Sequence, residues 1–315
     1  MMLAAFWFGC ALSQPPVGPD APAEEPRPAT ARADATRTHV VMLGTGNPVP
    51  DPSRSGPCVA VVVDDRAYLV DMGPGLVRRA ASAHMGGITA LDPERLNRVF
   101  VTHLHSDHTA GFPDLWLSPW VIGRTGPLNV HGPIGINNMA THLSAAWSED
   151  IEVRTTGLEK GDAGGAAIVV KENPAEGGEV YRDAWVTVSA IPVPHGSWKY
   201  AYGYKFETPD RTIVISGDTA KSEALAAACD GCDLLVHEVF SQAAWDMRPP
   251  SDFKNYHATF HTSTTELGEL AIMARPKKLL LYHQLYMGAD DAGLVAEVKA
   301  VWDGDVESAS DLGIY

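Results

Sequence analysis

Cysteine is scarce. The 315-residue chain holds four, at positions 10, 58, 229 and 232, too few for a disulfide scaffold. Cys229 and Cys232 form a lone CxxC with no second pair, which argues against a zinc ribbon. Two small buried residues ahead of the strand DLLVHE are expected there, with pairing as the alternative in an oxidising compartment. Basic residues are also short, 24 Lys and Arg against 39 Asp and Glu, giving a formal charge of -15. Ordinary solubility accounts for that excess. A surface that acidic also repels phosphate backbones unless basic residues cluster locally, so bulk nucleic-acid binding is disfavoured. Beyond the N-terminus no run reaches the roughly 18 uninterrupted apolar residues of a membrane helix. Nor is there an internal repeat strong enough to use.

Hydrophobic residues make up 45% of the chain and charged residues 20%, the balance of a globular protein with a sizeable core. Residues 1–13, MMLAAFWFGCALS, form a short apolar run, and residues 14–37 are rich in Pro and Ala with scattered charge. That order matches an export signal followed by a flexible tether, although no Lys or Arg precedes the apolar run. Cleavage after Ser13 is the expectation, with lipidation at Cys10 or a mis-assigned start as alternatives. The mature chain is then expected in the periplasm or outside the cell, a cytoplasmic location being the second reading.

From Thr38 to the end, residues 38–315, strands alternate with helices. HVVML, CVAVVV, AYLV and NRVFVT are β-branched runs bounded by Gly, Pro, Asp or Asn, as buried strands are. Helices are expected after Pro74 and after Gly111, and again at IGINNMATHLSAAW, TAKSEALAAA, TTELGELAIMA and LVAEVKAVW. Paired strands at both ends of this region with helices between them predict two sheets packed face to face and covered by helices. The Gly-rich piece from Thr156 to Asp183 reads as a surface hairpin or loop.

The densest chemistry lies in VTHLHSDHTAGF, where His103, His105, Asp107 and His108 fall within six positions. Along an extended segment turning into a helix, such spacing lets four side chains converge, two for each of two neighbouring cations. Neutral imidazole and carboxylate suit zinc, and also iron or manganese. One loop cannot fill two sites. His195 after WVTVSAIPVP, Asp218 after TIVIS and His283 after KLLLY sit at strand ends and are the candidates for the rest, Asp218 as a carboxylate that could bridge; each alone would read as an ordinary strand-end polar residue. His39, His84, His131 and His142 have no such company and are read as structural.

In order along the chain, MLGTGNPVPDPSRSG, LVDMGPG, HLHSDHTAG, PHGSWKYAYGYKFE, SGDTA, LLVHEVF, HTSTTELGELA and LLLYHQLY resemble the metallo-β-lactamase superfamily, and within it the ribonuclease Z and arylsulfatase-like branch. The resemblance runs from about Thr38 to His283. It implies an αββα four-layer sandwich, two mixed sheets flanked by helices, with two metals at one edge. His103, His105 and His195 would hold one metal, Asp107, His108 and His283 the other, and Asp218 would bridge them. His261 matches the family's non-ligand catalytic histidine and Glu238 the acidic residue beside it. His237 is expected to pack or orient its neighbours. His257 competes with His261, but STTELGELA after His261 reads as a capped helix start with Glu266 in its first turn, so His257 is expected to be a loop histidine.

Two cations about 3.5 to 4 Å apart would share a water, lower its pKa toward neutrality and clamp the oxygens of an in-line displacement. Asp107 could orient that nucleophile. Glu238 or Ser216 could fix imidazole tautomers, and a protonated His261 could serve the leaving oxygen. The chain is thus expected to be a metal-dependent hydrolase acting through a metal-bridging hydroxide on a small phosphodiester or related ester. Transfer-RNA 3′ processing is the alternative, disfavoured because 22 residues separate His195 from Asp218. That is too few for the long arm by which ribonuclease Z enzymes grip transfer RNA. Arylsulfatase, lactonase or β-lactam hydrolysis and a non-catalytic exported metal-binding protein complete the alternatives. Trp116, Trp120, Trp198, Tyr200 and Tyr202 are candidates to line an apolar cleft, with core packing an equal account of Trp116. Related folds often form homodimers, but no feature of the sequence marks an interface.

Overall fold

A computed structural model describes residues 37–315. The apolar segment 1–13 and nearly all of the tether 14–37 lie outside the described residues. Strands β1 (Thr38–Gly44), β2 (Cys58–Val63), β3 (Arg66–Val70), β4 (Arg98–Phe100), β5 (Leu128–Gly132) and β6 (Ile168–Glu172) form one sheet in chain order. The second sheet, also in chain order, holds β7 (Gly178–Arg182), β8 (Thr187–Pro192), β9 (Tyr202–Glu207), β10 (Thr212–Ile215), β11 (Leu234–Phe240), β12 (Leu279–Leu285) and β13 (Val306–Ser308). Each sheet opens as an antiparallel meander and continues parallel, from β3 to β6 and from β10 to β13.

The layering follows from three apolar clusters. Val40, Met42, Tyr68 and Phe100 of the first sheet meet Val188, Tyr204, Phe206 and Leu280 of the second, forming the core between the sheets. Leu69, Val99 and Val130, on the opposite face of the first sheet, pack on Leu76, Leu115, Trp116 and Ile136 of its crossover helices. Val214, Leu235 and Leu281 do the same against Leu225, Leu267 and Leu294. β2, whose six residues are all buried, is apolar on both faces for that reason. The expected four-layer sandwich is therefore the fold. Among the described residues no helix is long and apolar enough to cross a membrane.

Several local expectations need correction. Thr156–Asp183 is not a self-contained hairpin: β6 joins one sheet and β7 the other, each as its edge strand. Glycines hid two strands whose residues are largely exposed and carry little apolar periodicity. Cys229 and Cys232 are buried, as expected, yet they are joined in a disulfide. Asp230 (φ 34°) and Gly231 (φ 84°) both adopt left-handed backbone after the helix Glu223–Cys229, and that tight turn brings the two Cα atoms to 4.7 Å. His257 is helical, lying within Asp252–Phe260, where its Nδ1 donates to the Phe253 carbonyl. The capped helix start after His261 is present as read: Ser263 and Glu266 form a reciprocal capping box.

His131, assigned a structural role, stacks on Phe100 in the core with ring centroids 5.0 Å apart. Burial, helped by the charges of Lys171 and Arg98, holds its imidazole down to about 4. The unfolded chain keeps the ordinary value near 6.5, so between these values the unfolded state binds the extra proton and stability falls as pH falls. Replacing His131 with Phe should remove roughly 2 kcal/mol of the stability that the parent loses between about pH 7 and pH 5. Urea unfolding at the two pH values checks this; equal losses in both proteins would refute it.

Candidate metal centre

The site stands where the parallel strands end, the usual place for ligands in such sheets. His103 and His105 follow β4, Asp71 follows β3 and Asp218 follows β10, while Glu238 and His283 lie within β11 and β12. Gly217 turns the chain into Asp218 with φ +61°, and a Cβ there would come within 2.8 Å of the Thr102 side chain. His283, expected just past a strand, is the extra residue of a β-bulge: Tyr282 pairs Glu238 and Gln284 pairs Val239, so His283 has no partner. Its φ of 46° turns the imidazole toward the carboxylates.

All seven positions read as ligands come together, though they span His103 to His283. His103, His105, His195 and Asp218 form one group able to hold an ion, and Asp107, His108 and His283 another. His103 Nε2 lies 2.9 Å from His105 Nδ1, which lies 3.1 Å from His195 Nε2. Asp218 reaches both groups: its carboxylate is 3.9 Å from His103 Nε2, 3.3 Å from His108 Nε2 and 3.4 Å from His283 Nε2. Asp107 Oδ2 is 3.2 Å from His283 Nε2 and 3.5 Å from His108 Nε2.

Tautomers decide whether these nitrogens can bind a cation. His108 Nδ1 donates to Asp71 Oδ2 at 2.8 Å, and His195 Nδ1 donates to the Phe260 carbonyl at 2.7 Å. His103 Nδ1 donates to Thr102 Oγ1 at 3.0 Å, since that hydroxyl spends its own hydrogen on Asp71 at 2.9 Å. Each of the three thus keeps its Nε2 lone pair facing the centre. His108 Nε2 and Asp218 Oδ1 are buried without a hydrogen-bond partner. Unpartnered buried acceptors of this kind are costly unless a cation satisfies them, so the donor set fits a metal.

The electrostatics divide the cluster: burial pulls His108 and His283 down, but the surrounding carboxylates, Asp218 foremost, outweigh it and raise both, so a cation entering there would displace a proton. Burial holds His195 down to about 4 and pushes His103 well below its ordinary value, so both stay neutral and ready to bind metal. Burial pushes the Asp218 carboxyl up, but His283 and His108 outweigh it and leave it well below the usual carboxylate range. Asp107 is likewise lowered, burial being overcome by His108 and His283.

His261 sits beside the ligands, stacked on His283 with ring centroids 5.9 Å apart. Its Nδ1 donates to Glu238 Oε1 at 3.2 Å, which also accepts from the backbone N–H groups of Thr219 and Thr262. Burial, then the Asp218 charge, pushes the Glu238 carboxyl well above its ordinary value, and burial holds His261 down to about 4. Asp218, His261 and His283 form a third group able to hold an ion, so geometry alone leaves His261 a potential ligand. His237 is buried and bonds its own neighbour's carbonyl through Nδ1, while its Nε2 has no hydrogen-bond partner. The Ser216 hydroxyl donates to the Gly217 carbonyl and accepts from the Glu238 N–H rather than bonding an imidazole.

Of the aromatic residues considered for a cleft, Trp116, Trp120 and Tyr202 are buried core. Trp198 does reach the site, its Nε1 2.8 Å from His105 Nε2, and Tyr200 packs against the inter-sheet core. The sequence reading passed over Asp71, which is 1% exposed and accepts from Thr102 N, Thr102 Oγ1 and His108 Nδ1. A carboxylate closing the apolar strand AYLV before Gly-Pro-Gly was the available sign. Changing Asp71 to Asn should cost about 10- to 100-fold in metal retention or activity, the usual loss when a ligand's outer partner is removed. Metal content after dialysis against chelator, with kcat/KM, checks it; parental values would leave Asp71 idle.

The profile of a family described as a β-lactamase superfamily domain matches residues 66–284. The chain belongs to the metallo-β-lactamase superfamily and is a metal-dependent hydrolase of it. Within the superfamily its likeness is to ribonuclease Z. A protein of that name from Mycobacterium sp. (strain KMS) is 34% identical over 277 residues, covering 87% of this chain and 94% of the relative. Another, from Mycobacterium bovis (strain BCG / Pasteur 1173P2), is 29% identical over 280 residues, covering 87% and 96%. The short form of human tRNase Z shares the fold, with a TM-score of 0.66 at 21% identity over 88% of this chain and 98% of that one. A metallo-β-lactamase fold protein from Bacillus subtilis gives 0.67 at 18% identity over 88% and 98%.

Proposed function

We propose that this centre holds two zinc ions and hydrolyses a small phosphodiester or related ester. The observation that carries the reading is the convergence of His103, His105 and His195 on one side and Asp107, His108 and His283 on the other, with Asp218 between them. Zinc bound there would supply Lewis acidity and a water acidified toward neutrality; iron or manganese would suit the same donors. The chain's own groups do the rest. Thr102, Asp71 and the Phe260 carbonyl hold three imidazoles in the metal-binding tautomer. Asp107, partly accessible at 11%, is placed to orient an incoming nucleophile. His261 stands neutral at pH 7 with Nδ1 donating to Glu238, so its free Nε2 would take the proton that the attacking water gives up and pass it to the leaving oxygen.

A second reading, transfer-RNA 3′ processing, is favoured by the relatives named ribonuclease Z. Against it stands the segment between His195 and Asp218, which β9 and β10 fill as a tight antiparallel pair, together with the charge of -15. Export of the mature chain is part of the proposal, and the Cys229–Cys232 disulfide supports it, since such bonds persist in oxidising compartments. Elemental analysis of purified protein, with assays on an aryl phosphodiester, an aryl sulfate, a lactone, a β-lactam and a precursor transfer RNA, separates the readings. Two metals bound with no turnover of any ester would defeat the first reading; cleavage of the transfer RNA alone would establish the second.

A further inference from the structure

A cleft of about 530 Å³ opens beside Asp107, walled by Pro48, Val49, Pro50, Pro52 and Pro74. The prolines fix φ along the loop, and Asn47 ties it down by donating to the Gln284 carbonyl at 2.7 Å while accepting from Val49 N at 2.9 Å. Such a wall is formed before any ligand arrives, which lowers the entropy lost on binding. Val49 is 71% exposed on it, an apolar side chain turned outward from a loop that does not need it for packing.

The charges of the cleft say what it excludes. Its charged lining residues are Asp51, Arg54 and Asp107. Arg54 faces inward: it donates to Thr45 Oγ1 at 2.8 Å and Gln284 Oε1 at 3.0 Å, and it pairs with Asp291 at 3.1 Å. Among the described residues no unengaged cation lines the cleft, leaving two carboxylates and an apolar wall. A nucleic-acid strand needs basic side chains along its phosphates, whereas an uncharged apolar group gains by leaving water for such a wall.

We propose that this cleft receives an uncharged, apolar arm of the substrate, and that Val49 is a specificity-determining residue for it. The inference rests on the reading of the centre as an ester hydrolase and narrows its substrates to esters bearing a neutral hydrophobic group. The test uses the full zinc-loaded chain and two p-nitrophenyl phosphodiesters, one with a methyl arm and one with a 2-naphthyl arm. Calorimetric binding of methyl and 2-naphthyl phosphonates is measured in parallel and needs no turnover. The parent should prefer the naphthyl probe by at least about tenfold, the scale on which apolar pockets discriminate, with the difference in KM and in affinity. Val49→Asp should bring both ratios close to one. Because each pair of probes carries the same charge, repulsion by the new carboxylate cancels in the ratio. Leu158→Asp, at a fully exposed position on a separate loop, should leave the ratios as in the parent. A parental binding ratio near one, or a ratio indifferent to Val49→Asp, would overturn the proposal. If neither ester is turned over while the phosphonate ratio still responds to Val49→Asp, the cleft assignment stands and the hydrolytic reading fails.

Discussion

Replacing Asp218 with Asn is expected to strip metal from both halves of the centre and to lower kcat/KM by more than the roughly 10- to 100-fold that losing an outer-shell partner costs. The reason is position. One carboxylate lies 3.3 Å from His108 Nε2, 3.4 Å from His283 Nε2 and 3.9 Å from His103 Nε2, so no other side chain in the centre faces both groups so evenly. An amide of the same shape removes the negative charge and turns one oxygen into a donor. That donor would meet imidazole nitrogens or a cation with the wrong sign. Metal per chain should fall at both positions together, whereas His105→Ala should empty mainly the group containing His103 and His195. Elemental analysis reads the difference. Loss of one ion with full retention of the other in the Asp218 variant would show that the carboxylate does not bridge.

The fold and most of the centre were legible in the sequence because their determinants are local. β-branched runs bounded by turn residues, such as CVAVVV and NRVFVT, announce buried strands, and a strand-to-helix turn carrying HLHSDH announces clustered donors. Asp218 was legible for a related reason, since parallel strands deliver their C-terminal ends to one edge; His195 follows β8, which pairs antiparallel with both neighbours but runs in the direction of β10 and so ends at the same edge. What stayed hidden depends on contacts distant in sequence. Asp71 gains its role only when β3 and β4 lie parallel and bring it against Thr102 and His108. The bulge at His283 exists only in the register of β12 on β11. The strands β6 and β7 were missed because edge strands with exposed residues lack the apolar pattern that reveals central ones. The Cys229–Cys232 bond required a left-handed turn that residue spacing does not specify.

His261→Ala separates chemistry from metal binding within the same cluster. His261 approaches Asp218 at 4.0 Å and stacks on His283, so its imidazole faces the ligands without belonging clearly to either of the two main groups. Its Nδ1 hydrogen is committed to Glu238, which leaves Nε2 as the one nitrogen able to exchange a proton with a bound substrate. Loss of a positioned acid or of an anion-stabilising group typically costs about 10²- to 10⁴-fold in rate. The variant should therefore lose activity on that scale while retaining parental metal content and parental unfolding behaviour. The loss should shrink for esters whose leaving oxygen needs little protonation, such as p-nitrophenyl esters, compared with alkyl esters of the same acid. A fall in metal content would instead make His261 a ligand, as its grouping with Asp218 and His283 permits. Equal losses for both leaving groups would remove the acid role and leave His261 stabilising charge.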